Sequence, residues 1–205
     1  ILIMRDEWLK FKKYPHIGKP LTSNKDIAWV RRYVMNPEKI AEHKFVPLLH
    51  RTLSQRKYRP QKDALKNKSG KRQRTVGSKK ERHIYFPSHL DSIIYSYYNH
   101  LLTIAYEKYL EEKPYGSVAV AYRKIPIGDG ESGNKCNIEF AFEAFEFIER
   151  NKDRKLSVIV ADVTSFFDNL NHRLLHRQWK RILNRENLPD DHYTIYKSLV
   201  DSKYV

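Results

Sequence analysis

The 205-residue chain has few acidic residues and a single cysteine, and it contains no long apolar run. Cys136 alone cannot form an intramolecular disulfide or a cysteine-rich zinc site, which favours a reducing, cytoplasmic location. Apolar stretches such as 158–163 are far shorter than the roughly 20 residues of a membrane span, so no membrane partner is expected. Charged residues directly after the apolar start at 1–4 argue against a signal peptide. Because the first residue is Ile, we expect native ends beyond this chain.

Positive charge dominates the composition. The chain carries 39 Lys and Arg against 24 Asp and Glu, a formal net charge of +15, while 40% hydrophobic residues suffice for a core. Residues 51–82 hold 13 of the basic residues and only two acidic ones, a net of +11. Glycines and serines in this stretch favour turns. It is therefore predicted to be a mobile or hairpin-like segment that contacts a polyanion, most often nucleic acid, with a solvated linker as the alternative.

Capping and periodicity predict a helix-rich α+β chain. Helices are expected to begin near Ser23, Pro37, Ser88 and Asn137, and the third is expected to end near Glu112. A fifth helix is expected to take its first turn from Asp168 or Asn169 and to hold Leu170 to Leu183. Asp190-Asp191 follows Pro189 and is interpreted as a loop that opens a helix, not as a metal site.

Three runs are strand-like: 83–87, 118–122 and 155–163. The third is too continuously apolar to be half exposed, and it is predicted to be a central strand buried on both faces. Asp162 would then lie at the carboxyl end of a buried strand, where an acid needs a positive partner. Two alternatives stay open on these grounds. Asp162 either caps a turn or pairs with an Arg, or it binds a divalent metal in a nucleotidyl-transfer site.

Residues 162–172, Asp-Val-Thr-Ser-Phe-Phe-Asp-Asn-Leu-Asn-His, resemble the first palm motif of reverse transcriptases of the retron, group II intron and bacterial defence-associated kind. Two further blocks agree in order and spacing. Residues 80–87 with Asp91 are similar to the fingers motif, and residues 116–123 resemble a segment with a small residue, an aromatic and an Arg. The early region at 14–18 and 43–45 looks most like antiphage defence enzymes.

The resemblance implies a right-hand polymerase fold, of which this chain holds the fingers and the first half of the palm. The implied fold is helix-rich, with a small β-sheet that carries the catalytic Asp at a strand end. The implied division is an N-terminal helical extension at 1–50, fingers with the basic segment at 51–136, and palm at 137–205.

The same resemblance implies the site residues. Asp162 would be the catalytic ligand of two Mg²⁺ ions, with Mn²⁺ as the substitute, and the Val163 carbonyl would bind one of them. Phe167 falls on the steric-gate position that selects deoxynucleotides, although a core role is the alternative. The resemblance also implies two sets of contacts. The triphosphate would be bound by Ser165, Phe166, Arg82 and Lys80. Nucleic acid would be bound by Lys71, Arg72, Arg74, Lys79, Tyr122 and Arg123. For Arg82 the alternative is a solvated charge, and for Tyr122 it is core packing.

One feature of the family is missing. The chain has no aromatic-x-Asp-Asp hairpin motif, which supplies further metal-binding carboxylates in these enzymes. We therefore expect a fragment of a longer RNA-directed DNA polymerase, whose partners would be an RNA template, a DNA product and deoxynucleoside triphosphates. A dedicated non-coding RNA, a partner protein or a second copy are further candidate partners, and antiphage defence is the implied role. The alternative is a non-catalytic, reverse-transcriptase-like RNA-binding module.

Overall fold

The computed structural model describes residues 7–18, 20–21, 24–60, 74–128 and 132–205. Lys71 and Arg72 lie outside these residues, and Arg74 is described only by its backbone. Over the described ranges the fold is α+β. It comprises α1 (Asn24–Val34), α2 (Pro37–Ala41), β1 (Leu49–Pro60), β2 (Arg74–Phe86), α3 (His89–Glu111), α4 (Asn137–Arg150), α5 (His172–Ile182) and α6 (Asp190–Val200).

The chain divides into two compact units. The first unit contains residues 1–100 and 187–205, and the second contains residues 101–186. Helix α3 begins in the first unit and ends in the second. The boundaries predicted at 50/51 and 136/137 separate the N-terminal extension, the fingers and the palm by function. The two compact units do not test them, so these boundaries stay predictions. No helix in the described ranges combines the length and the apolar character needed to cross a bilayer.

Local sequence signals predicted the helices well. The Asn36 side chain accepts a 2.9 Å hydrogen bond from the Lys39 amide at the start of α2, and Pro37 occupies the first turn. Ser88 Oγ accepts from the Asp91 amide at 3.1 Å and caps α3. Helix α6 begins at Asp190, so the predicted start of a helix at this acidic pair is confirmed.

Helix α5 starts later than predicted. Its first residue is His172 rather than Asp168 or Asn169. The reason is a competing cap, because the Asn171 side chain accepts a 2.9 Å hydrogen bond from the Leu174 amide.

The core of the first unit joins α1, α2, α3 and α6. The largest fully buried side chains, each with less than 2% exposure, are Val30, Val34, Ile40, Ile93, Ile94, Tyr98 and Ile195. Burial of one such aliphatic side chain contributes about 1.5–3 kcal/mol. Helix α6 is also tied to the end of α2, since Thr194 Oγ1 donates to the Ala41 carbonyl at 2.9 Å.

The described parts of the basic segment pair as the antiparallel strands β1 and β2, with Leu53 opposite Arg82 and Thr52 opposite His83, in agreement with the hairpin-like interpretation. We call these two strands the hairpin. Because successive side chains of a strand alternate, the hairpin has two distinct faces. The ring face carries His50, Thr52, Ser54, Arg56, Lys79, Glu81, His83 and Tyr85. The cation face carries Leu49, Arg51, Leu53, Gln55, Lys80, Arg82, Ile84 and Phe86.

A short C-terminal segment extends the sheet beside β1. Leu48 and Tyr204 form a parallel bridge, and the His50 amide donates to the Val205 carbonyl at 2.8 Å. Tyr204 thereby reaches the edge of the ring face, where its ring lies 5.1 Å from that of Tyr85.

Two strand predictions in the second unit are wrong. Residues 118–122 form turns and irregular backbone. Residues 155–163 form no strand either, and Ile159 and Val160 are 89% and 91% exposed. A strand needs a pairing edge, and within the described residues no strand or bridge pairs with either run. The predicted sheet with Asp162 at a strand end is therefore absent from the described residues.

Candidate nucleotide and nucleic-acid site

The motif around Asp162 contains a tight turn at residues 164–169. Ser165 has a φ of 49°, in the left-handed region that residues other than glycine rarely adopt. Its carbonyl accepts hydrogen bonds from the Asp168 amide at 3.0 Å and from the Asn169 amide at 3.1 Å. The Asn169 side chain donates a third, also at 3.1 Å. Asn169 thus holds Ser165 in a conformation that costs on the order of 1–3 kcal/mol, the kind of backbone strain that clusters at functional sites.

Phe166 and Phe167 project from this turn. Their ring centroids are 5.3 Å apart at 74°, and Phe167 is 68% exposed. Phe166 is half exposed, so the alternative core role finds no support at either residue in the described ranges. The amides of residues 165–167 donate to no backbone carbonyl in the part of the chain that the structure describes. Two rings and three available N–H groups therefore lie together on the surface.

Asp162 is exposed, and no described residue pairs with its carboxylate. Neither the turn cap nor the Arg partner considered for it is formed within the described ranges. The Asp162 carboxylate and the Val163 carbonyl are oxygen ligands of the kind that Mg²⁺ and Mn²⁺ bind together with phosphate oxygens. Among the described residues, however, no group of three or more His, Cys, Asp or Glu side chains could hold a metal. Asp162 and Val163 therefore supply some of the ligands of a metal site, but the described residues do not supply the further carboxylates of a two-metal site.

The predicted triphosphate cations lie on the hairpin in the first unit. Lys80 and Arg82 are both exposed and share the cation face with Arg51, so three positive charges lie along one side. Lys79 lies on the opposite face and forms a 2.6 Å ion pair with Glu81. Lys80 and Arg82 form no ion pair with any described residue and can bind an anion, whereas Lys79 is partly neutralised.

Arg123 holds a loop of the second unit together. Its guanidinium forms a bidentate pair with Glu107, the shortest contact being 2.6 Å, and donates to the carbonyls of Gly116 and Ala119 at 2.7 Å each. Hydrogen bonding to Arg123 lowers the pKa of Glu107. Tyr122 beside it is 92% exposed with a φ of 62°, so core packing is excluded for this residue. Arg123 thus acts chiefly by fixing the loop from which Tyr122 projects.

Two features were missed at the sequence level. The first is a cavity of about 410 Å³ lined by Asn171, Arg173, Leu174 and Arg177 on α5. The spacing of its two arginines by four residues was a readable signal of a shared helix face. The second is the ring face of the hairpin, which required the cross-strand register to be known.

A buried polar chain joins α1 to α3. Tyr33 Oη lies 2.8 Å from His43 Nδ1, and His43 Nε2 lies 2.8 Å from Asp91 Oδ1. Its order is that of a nucleophile, base and orienting acid, but burial and the charge of Asp91 raise the pKa of Tyr33. A raised pKa makes removal of the hydroxyl proton by His43 less favourable. Since Asp91 also accepts from the Val46 amide at 3.3 Å, the chain is a structural tether.

The second unit exposes a large apolar surface. No residue of α4 is buried, although Ile138, Phe142 and Phe145 recur at helical spacing. The run at 156–163 adds exposed aliphatic side chains. Exposed apolar surface on this scale marks interaction sites in soluble proteins.

No protein-family model matches this chain, and no curated protein matches it.

Proposed function

We propose that this chain is the fingers and first palm portion of an RNA-directed DNA polymerase that serves antiphage defence. The observation that carries the proposal is the strained turn at Ser165. It presents an unpaired carboxylate at Asp162, free amides at 165–167 and the exposed Phe167 ring within six residues. These are the groups that bind metal, triphosphate and sugar in the motif that residues 162–172 resemble.

Each of these groups has a chemical task in nucleotide addition. Asp162 and the Val163 carbonyl would hold metal ions, which stabilise the attacking 3′ oxygen and the leaving pyrophosphate when bound. Free backbone N–H groups beside a left-handed residue form an anion-binding concavity suited to phosphate oxygens. The resemblance also assigns Lys80 and Arg82 to the triphosphate, and a planar guanidinium such as that of Arg82 can bind two phosphate oxygens at once.

Phe167 would select the sugar. A ring in van der Waals contact with C2′ of a deoxyribose leaves no room for a 2′-hydroxyl, so ribonucleotides are excluded by overlap. Its 68% exposure leaves the ring accessible to a nucleotide.

Further polypeptide is part of this proposal. One carboxylate cannot hold two metals, and the apolar surface of α4 and 156–163 has no cover in the described ranges. Strands that pair with 156–163 would bury this surface and bring the missing carboxylates. We place those strands in a further segment of a longer chain or in a partner.

The test is primer extension on an RNA template by the longer natural protein. We expect Asp162→Asn to abolish DNA synthesis while nucleic-acid binding changes less than about twofold, since binding rests on the phosphate contacts of the basic residues. Asp153→Asn removes the same charge from another exposed site of the second unit and should leave synthesis unchanged. Full synthesis by Asp162→Asn would refute the catalytic assignment.

A specific observation favours a second candidate, a reverse-transcriptase-like RNA-binding module without catalysis. Residues 162–172 contain two carboxylates, Asp162 and Asp168, and the described residues form no group of three or more metal-ligating side chains, whereas the chain's net charge of +15 supports binding on its own. If the longer protein binds RNA but extends no primer with Mg²⁺ or Mn²⁺, this second candidate replaces the polymerase.

A further inference from the structure

The ring face of the hairpin carries a continuous group of aromatic side chains. His50 and His83 stack with ring centroids 5.1 Å apart at 25°, and His50 and Tyr85 stack at 4.9 Å and 23°. Tyr204 packs edge-on against His50 at 5.5 Å and against Tyr85 at 5.1 Å. We call these four residues the ring cluster.

The ring cluster is open to solvent rather than part of the core. Tyr85 is 41% exposed and Tyr204 is 60% exposed. Its members are nonetheless fixed in place. His50 Nε2 lies 2.9 Å from His83 Nδ1, and Thr52 Oγ1 lies 3.3 Å from the same His83 nitrogen. A pre-ordered aromatic platform at the surface loses little side-chain entropy when a flat ligand stacks on it.

Positive charge lies further along the ring face. Arg56 and Lys79 are a cross-strand pair on the same face, six residues along β1 from His50, which is about 20 Å at the strand rise. Glu81 on this face is neutralised by Lys79 at 2.6 Å. Residues 51–82 as a whole carry a net charge of +11. Flat rings and cations on one face of a strand pair suit single-stranded nucleic acids, because bases stack while phosphates pair with cations.

We propose that the ring face is a binding site for single-stranded nucleic acid that stacks unpaired bases on His50, His83, Tyr85 and Tyr204. A duplex is excluded as the main ligand, because its base faces are already stacked on one another. Every base has a π-face, so the site distinguishes neither base sequence nor RNA from DNA. The site is separate from the proposed triphosphate contacts, since Lys80 and Arg82 point to the other side of the same hairpin.

The register of the hairpin supports different ligands for the ring face and the cation face. Adjacent residues of β2 alternate sides, so Arg82 and His83 cannot serve one ligand surface together. The cation face would bind a compact anion, and the ring face would hold an unpaired strand. The single-strand site on the ring face needs neither metal nor Asp162, so it can be tested independently of the polymerase proposal.

The test is fluorescence anisotropy with labelled 12-mers of dT and rU, without nucleotides or divalent metal, on the full chain and in an Asp162→Asn background. We expect the double variant Tyr85→Leu with Tyr204→Leu to weaken binding of both oligonucleotides at least about tenfold, given the usual contribution of base–aromatic stacking. The slope of log affinity against log salt should stay unchanged, because the phosphate contacts remain. Leu keeps apolar volume at both positions and removes the ring together with its hydroxyl.

Three comparisons make the outcome decisive. Tyr193→Leu changes a tyrosine of similar exposure, 46%, in the same unit and should bind like the parent chain. Arg56→Gln with Lys79→Gln should lower the salt slope, which the ring variants leave intact. An abasic 12-mer should bind the parent and the ring variant equally. If the ring variant binds dT and rU like the parent chain, or if a blunt duplex competes as well as a single strand, the stacking site is refuted.

Discussion

Tyr98 donates a 2.6 Å hydrogen bond to Asp191, 93 residues away along the sequence. Both residues are buried, and the bond joins α3 to the first turn of α6. His192 packs edge-on against the Tyr98 ring at 4.9 Å. The pair therefore closes the first unit by connecting its two sequence-distant parts.

Removal of the Tyr98 hydroxyl should destabilise the first unit. Tyr98→Phe keeps the ring and leaves Asp191 buried without this donor, which costs about 1–3 kcal/mol. Urea unfolding at pH 7, followed by circular dichroism, measures the loss. Tyr193→Phe changes a tyrosine that is 46% exposed and should alter the free energy of unfolding by less than about 0.5 kcal/mol. Equal effects of the two variants would contradict the structural role of the Tyr98 bond.

Stability should fall at alkaline pH. Burial, followed by the hydrogen bond to Asp191, raises the pKa of Tyr98, so the folded chain keeps a proton that the unfolded chain releases above about pH 10. The unfolded state then binds fewer protons, and the free energy of unfolding decreases as pH rises, by up to about 1.4 kcal/mol per pH unit for one tyrosine. Burial also raises the pKa of Tyr95 and Tyr97. Urea midpoints between about pH 8 and 11, a range that spans the ordinary tyrosine pKa, should show a shallower decline in Tyr98→Phe, and parallel curves would be evidence against it.

Gly116 should not tolerate even a methyl group. A Cβ there would lie 2.3 Å from the Leu110 carbonyl oxygen, which is backbone and cannot rotate away. We expect Gly116→Ala to destabilise the second unit by about 1–3 kcal/mol. Gly128→Ala is the matched control, because a Cβ at Gly128 meets nothing within 4 Å. Thermal unfolding of the two variants side by side measures the difference, and similar melting temperatures would contradict a clash between residue 116 and the end of α3.

Loss of the Arg123 contacts should release the loop at 116–123. Arg123→Lys removes the bidentate geometry and cannot bond Glu107 and two carbonyls together. We expect limited proteolysis near Tyr122 to accelerate at least about fivefold, since local opening of a loop sets its rate of cleavage. Glu107→Gln should give a smaller effect, because the carbonyl contacts of Arg123 persist.

The same loop should respond to acid. Arg123 lowers the pKa of Glu107, so the pair contributes its stability above the ordinary glutamate range and loses it as pH falls through the lowered value. Proteolysis with an acid-active protease should therefore accelerate below about pH 4 in the parent chain. Glu107→Gln should show no such step, and a step of equal size in that variant would exclude the pair as its cause.

Sequence patterns predicted features whose causes are local. The caps at Asn36 and Ser88, Pro37 and the acidic start of α6 depend on neighbours within about four residues, and all were recovered. The run at 155–163 was mispredicted because a buried strand depends on distant partners. The apolar content of this run indicates that other polypeptide covers it, but it does not indicate which segment does so.

In the candidate site too, features with local causes were predictable and features that depend on distant contacts were not. The motif order placed Asp162, Ser165 and Phe167 in one short segment, and their grouping in the second unit follows from chain connectivity. The left-handed φ of Ser165 was not predictable, because it arises from the hydrogen bonds of its carbonyl to residues 168 and 169. The ring cluster was likewise invisible, since it pairs His50 with Tyr85 and Tyr204 through register and not through spacing.

Alternation along the hairpin also limits how the length of β1 and β2 can change. A one-residue deletion between His50 and Arg56 would shift every following side chain to the opposite side, mixing the two faces. Within the regular part of a strand, only an insertion or deletion of an even number of residues would keep each following side chain on its own face. At Lys57 the register shifts, with Gly77 and Ser78 opposite this single residue, so a bulge already absorbs an extra residue there. Length variation among natural versions of this hairpin should therefore concentrate at or beyond Lys57.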